Sequence, residues 1–199
     1  MHLEFTPAVW QLWGLTTLTL FMLMAIESDI VEHRIPNVLI LMMLLSGLAL
    51  NTLGPTNGRE GLLARFPGAL GVNVAFWGAS TGLIVFLPFY GLGAFGAGDV
   101  KFLAALGSFL GPVEVVNLAL CVLAAGGMLA VVRMLWAKNS RLVFNNIKFI
   151  LSAKRAADSG LSSQGATSAD RMPFALAFAG GLFGYSYWRL MGGSLLIHF

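Results

Sequence analysis

The acidic side chains that border apolar runs are Glu27, Asp29, Glu32, Asp99 and Glu114, and the basic ones include Lys101, Arg133 and Arg189. Ionisable groups near membrane depth are costly to keep there, so each is a functional candidate. Asp29 and Asp99 stand out. Asp29 directly follows the first apolar run, and Asp29-Ile-Val-Glu-His-Arg-Ile-Pro-Asn37 then turns into the second, with Pro36 at a favoured first helical position. Asp99 closes the glycine-rich segment Gly91-Leu-Gly-Ala-Phe-Gly-Ala-Gly98 and opens the fourth run. Two carboxylates held close together cannot both ionise. They share a proton, and one then activates a water while the other protonates a carbonyl oxygen. That is amide-bond hydrolysis without a metal or a nucleophilic Ser or Cys. The plain alternative is capping: Asp is favoured at helix N-termini, and Asp29 has Glu32 three residues on. Residue types and spacing leave both readings open.

The neighbours of the two aspartates divide in the same way. Lys101, two positions past Asp99, either biases the carboxylates electrostatically or snorkels to the interface. Gly96 and Gly98 let the backbone approach whatever lies beside Asp99. Gly91 to Gly96 formally matches G-x-G-x-x-G, but a dinucleotide site needs a βαβ unit, and this segment joins two apolar runs. His33 and Arg34 read as solvated loop residues, Arg133 and Arg189 as interface anchors. Gly78/Gly82 and Gly180/Gly184 have the spacing of helix-packing glycines. The single cysteine, Cys121, lies inside an apolar run and reads as packing, so neither a disulfide framework nor a Cys-rich zinc site is expected. No cofactor or metal is implied.

The elements that must position these residues belong in lipid. Only 11% of the residues are charged, against roughly 25% in soluble domains, while 57% are apolar before 24 glycines are added. An ordinary soluble domain and bulk disorder are excluded. Nucleic-acid binding is not expected either: the net charge of +3 comes from Lys and Arg that lie mostly in loops between apolar runs. Six runs can be delimited, at 8–27, 36–53, 68–90, 99–111, 113–136 and 173–197. The expected fold is therefore all-α and polytopic, one membrane-embedded domain over 1–199 with about six transmembrane helices, the fourth one short. That fourth run is either a short span or a re-entrant half-helix. The first run has no basic n-region and no cleavage site after it, and reads as a retained anchor.

Six spans put Arg34, Lys138, Arg141, Lys148, Lys154, Arg155 and Arg171 on one face and only Arg59 and Arg65 on the other. The positive-inside rule makes the rich face cytoplasmic and the N-terminus external. Both aspartates then lie at the cytoplasmic face. The loop over 137–172 falls on that side too. Within it Val143, Ile147, Ile150 and Leu151 can share the apolar face of an interfacial helix, and 156–170 is small and polar like a linker.

Asp29 before Ile35-Pro36-Asn37, then Gly96-Ala-Gly98-Asp99-Val-Lys101 continuing into Phe-Leu-Ala-Ala-Leu-Gly107, resembles the type IV prepilin peptidases, membrane aspartyl proteases of the GxGD type. Met172-Pro173-Phe174-Ala175 is similar to that family's final segment, so the likeness covers most of the chain. The resemblance implies that Asp29 and Asp99 are the catalytic pair, with Gly96, Gly98, Lys101, Pro36 and Asn37 as supporting motif residues. It implies a prepilin substrate whose short basic leader is cut at the cytoplasmic face of the bacterial inner membrane. The bilayer and other pilus-assembly proteins are the further partners implied. Longer, bifunctional members carry a cytoplasmic region with paired cysteines and also methylate the new N-terminus. Here one span precedes Asp29 and paired cysteines are absent, so peptidase activity alone is expected, as in short forms similar to those of Flp (tight-adherence) pili. The rival readings are a related GxGD protease acting on other membrane peptides, a non-enzymatic pilus or secretion assembly factor, and a small proton-coupled transporter. The last lacks the inverted repeat expected of many transporters.

Overall fold

The computed structural model describes residues 6–32, 34–55, 61–64, 67–92, 95–136 and 174–194, with backbone alone for 133–136. His33, the side chain of Arg133 and the whole 137–172 loop, with its expected interfacial helix and linker, lie outside the described residues.

Every one of the six apolar runs contains a helix. These are α1 (Pro7–Glu32), α2 (Asn37–Leu53), α3 (Val72–Gly91), α4 (Ala97–Leu110), α5 (Pro112–Trp136) and α6 (Ala175–Leu190). Among the described residues the only β pairing is an isolated bridge between Gly61 and Gly68. The architecture is all-helical. By length and composition α1, α3 and the stretch Pro112–Val132 of α5 can each cross a membrane, whereas α2 is apolar but shorter.

Several boundaries differ from the sequence expectation, and two of them lie beside Asp29. α1 continues through Asp29 to Glu32, because nothing before Pro36 breaks the helix, so Asp29 lies in its last turn rather than in a loop. Pro36 is the N-cap of α2, with extended backbone, and Asn37 is the first helical residue. The ring has fixed its φ one residue earlier than expected.

α4 is the inner helix. All its residues from Val100 to Leu110 are buried except Lys101, the pattern of an element apolar all round and enclosed by others. It packs most extensively on α3, then on α2 and α5; α5 carries α6, and α1 lies against α2 and α6. At 14 residues it is about 21 Å long, and it does not fold back. Its first turn meets the start of α2, where Lys101 donates to Asn37. Its last carbonyls, those of Ser108 and Phe109, accept from Asn51 near the end of α2. The chain then reverses at Gly111, whose φ of +85° favours glycine, followed by Pro112 at the head of α5.

Close packing against α4 rests on glycines. A Cβ at Gly78 would stand 2.1 Å from the Gly107 carbonyl oxygen, and one at Gly82 would stand 2.6 Å from that of Leu103. Backbone therefore meets backbone, as the Gly78/Gly82 spacing predicts. The Gly180/Gly184 expectation holds only in part. A Cβ at Gly180 would make ordinary contact with Ala125 of α5 at 3.8 Å, the tight approach is at Gly181, where a Cβ would come within 2.8 Å of the Val122 backbone, and beside Gly184 there is nothing within 4 Å among the described residues.

The polar interior is consistent with lipid outside. Leu12, Trp13, Phe76, Trp77 and Phe183 point outward and are more than half exposed, whereas Asn51, Ser108, Glu114 and Asn117 are buried. Among the described residues no buried side-chain nitrogen or oxygen lacks a partner, as a medium without water requires. Arg189, expected as an interface anchor, instead pairs with Glu114: its NH2 lies 2.7 Å from Oε1, and both side chains are largely buried. Tyr185 donates its hydroxyl to the other carboxylate oxygen. This network joins the start of α5 to the end of α6, and Asn51 and Trp10 tie α1, α2 and α4 together at the same end. Asp29, Asn37, Asp99 and the start of α6 occupy the opposite end.

Candidate active site

Both aspartates hold helix N-termini, by different routes. Asp99 is the third residue of α4, and its Oδ2 accepts from the N–H of Gly96, the N-cap, at 3.0 Å. Gly96 has no side chain to satisfy the first amides of α4, and the carboxylate reaches back to supply one acceptor. A Cβ at Gly96 would lie 3.3 Å from that same oxygen, so any larger residue would crowd the carboxylate. A Cβ at Gly98 would meet nothing within 4 Å among the described residues.

Asp29 acts across the bundle. Its Oδ2 accepts from the N–H of Ala175, 146 residues away, at 2.9 Å. Ala175 is the first residue of α6, whose N-cap, Phe174, offers no side-chain acceptor. The last turn of α1 thus supplies the cap that α6 lacks, and negative charge is favourable there. Both residues cap, though not as expected: Gly96 rather than Asp99 is the N-cap of α4, and Asp29, inside α1 with Glu32, caps α6 instead of its own helix. Both carboxylates are half-buried at one end of the molecule.

The supporting residues fall around them. Lys101 Nζ donates to Asn37 Oδ1 at 3.2 Å, linking α4 to the head of α2. Ser28 donates to the Arg34 carbonyl at 2.8 Å and closes the turn between α1 and α2. Pro36, Asn37 and Arg34 are exposed. Among the described residues no group of three or more His, Cys, Asp or Glu side chains comes together.

Beneath the site lies a cluster that sequence reasoning missed. Phe95 stacks on Phe86, with ring centroids 4.6 Å apart and planes 3° from parallel, and Phe174 meets Phe95 edge-on at 4.7 Å. Phe178 bridges Phe86, Phe102 and Phe174. The signal was present as Phe174 and Phe178 one helical turn apart, and as Phe95 directly before Gly96. Two half-buried carboxylates gathered at one end of the bundle are groups of the kind that serve as a general acid and a general base.

The family model described as that of the type IV leader peptidase family matches residues 16–131, a stretch that includes both Asp29 and Asp99. No curated protein and no solved structure matches the chain.

Proposed function

The chain belongs to the type IV leader peptidase family, and from that premise we propose that it removes prepilin leaders as an aspartic endopeptidase, with Asp29 and Asp99 as the catalytic pair. The observation that carries this reading is that two carboxylates distant in sequence stand half-buried at one end of the bundle, each accepting a backbone amide at a helix N-terminus. In the proposed reaction one carboxylate is ionised and takes a proton from water while the other, protonated, gives its proton to the scissile carbonyl oxygen. Collapse of the tetrahedral intermediate then breaks the C–N bond, and a proton passes to the departing amine. Gly96 and Gly98 keep the approach to Asp99 narrow in side chain, and Lys101, Asn37 and Pro36 hold the head of α2 beside it.

The proposed substrate is a Flp-like prepilin, as the resemblance to short, peptidase-only forms implies. We place all six helices across the bacterial inner membrane with the N-terminus outside. The basic residues concentrated on the loops at the Asp29/Asp99 end support a cytoplasmic active site, where a leader would remain while the apolar pilin segment sits in the bilayer.

Co-expression with a small Flp-like prepilin, following leader removal by mass, tests the assignment. Asp29→Asn and Asp99→Asn, at membrane levels matched to wild type, are each expected to lower cleavage by at least ~100-fold, the usual scale of a lost acid or base. Cleavage at the wild-type rate by either variant would refute the two-carboxylate mechanism.

A further inference from the structure

We propose that Phe95 and Phe174 form a strut that sets the separation of the Asp29 and Asp99 carboxylates, making them positioning residues for the reaction; this rests on the catalytic reading given above. Asp29 lies on α1 and Asp99 on α4, yet α1 packs chiefly on α2 and α6 rather than on α4. Direct contact between their own helices is therefore not what fixes the two carboxylates relative to each other. Each is instead tied to a backbone amide that follows a phenylalanine. Asp99 accepts from Gly96, directly after Phe95, and Asp29 accepts from Ala175, directly after Phe174. The two rings meet edge to face, centroids 4.7 Å apart and planes at 80°.

Both rings are braced from behind. Phe95 lies flat on Phe86, which is fully buried. Phe174 ends against α5 at Gly126, where a Cβ would come within 3.1 Å of the ring tip. An edge-to-face contact between braced rings has a preferred distance and angle. A continuous path thus runs from one carboxylate through Gly96, Phe95, Phe174 and Ala175 to the other, and shortening either ring lets the N-termini of α4 and α6 drift relative to each other.

The test uses the full-length protein purified in detergent with the prepilin substrate, and measures kcat, KM and the pH–rate profile of Phe95→Leu, Phe174→Leu and Phe95→Tyr. Each leucine variant is expected to lose roughly 10- to 100-fold in kcat, the scale of a misplacement near 1 Å, with KM within about twofold of wild type. The pH–rate bell should also narrow, because the separation of the pair's two apparent pKa values reflects charge coupling that weakens with distance. Phe95→Tyr, which keeps the ring edge, should retain most of the rate; at Phe174 the ring tip already meets Gly126 and leaves no room for a hydroxyl. Phe95→Met and Phe174→Met, near in volume but without a ring, serve the same test should a leucine variant be lost from the membrane. Wild-type kcat in the leucine or methionine variants, an unchanged bell, or Phe95→Tyr as slow as Phe95→Leu would overturn the strut. Asp29→Asn and Asp99→Asn are run alongside. If either cleaves normally the catalytic reading itself falls, whereas inactive aspartate variants beside fully active phenylalanine variants would remove the strut alone.

Discussion

A carboxylate that accepts the first amide of a helix is a cap whatever else it does, and Asp29 stands on α1 while capping α6. Its substitutions should therefore separate two roles. Asparagine keeps an oxygen acceptor for the Ala175 amide but cannot act as a base. Alanine removes both. Asp29→Asn is expected to melt in detergent close to wild type while inactive, and Asp29→Ala to be inactive and less stable by about 1 kcal/mol, the usual cost of a lost N-cap. Thermal denaturation of the two variants beside wild type measures the difference. Equal stability of both would mean that the bond to Ala175 adds nothing to the fold. The sequence made Asp29 a candidate on its position, but it could not reveal this bond, because the partner is a backbone amide far along the chain and carries no side-chain signature.

At the scale of helices, the join between α3 and α4 depends on the absence of side chains. A Cβ at Gly107 would lie 2.2 Å from the Gly78 carbonyl oxygen, and a backbone atom cannot rotate away as a side chain can. Gly107→Ala should cost more than about 3 kcal/mol, beyond ordinary overpacking, and sharply reduce folded protein in membranes. Gly184→Ala, with open space beside it, should be neutral or slightly stabilising, since alanine favours helix by roughly 1 kcal/mol. Similar yields of the two variants by fluorescence-detected size exclusion would contradict this packing. The helices themselves were legible because apolar run length is a strong signal. Which glycines pack tightly was legible only in α3: spacing alone does not say which side of α6 faces α5, and the close approach is at Gly181, with Gly180 in ordinary contact beside it. The phenylalanine cluster escaped for a related reason, since its members come from α3, the segment before α4, and α6, and local periodicity does not join them.

Over the whole molecule, charge and direction agree. The six helices alternate, so that Asp29, Asn37, Asp99 and Ala175 gather at one end while Asn51, Glu114 and Arg189 gather at the other. Because every connection reverses direction, fixing the side of any one loop fixes all of them. By sequence, the α1–α2, α3–α4 and α5–α6 connections contain Arg34, Lys138, Arg141, Lys148, Lys154, Arg155 and Arg171, and the other two connections only Arg59 and Arg65, a bias that predicts the aspartate end inside. A fluorescent protein that matures only in the cytoplasm, inserted within 156–170, is expected to fluoresce, and the same insertion within 56–60 to stay dark. A phosphatase that works only outside should give the reverse pattern. An outside reading for 156–170 would move the proposed cleavage to the other face and break its link to a cytoplasmic leader. Insertions that report the same side would instead contradict the alternation of the helices, and with it the gathering of both carboxylates at one surface.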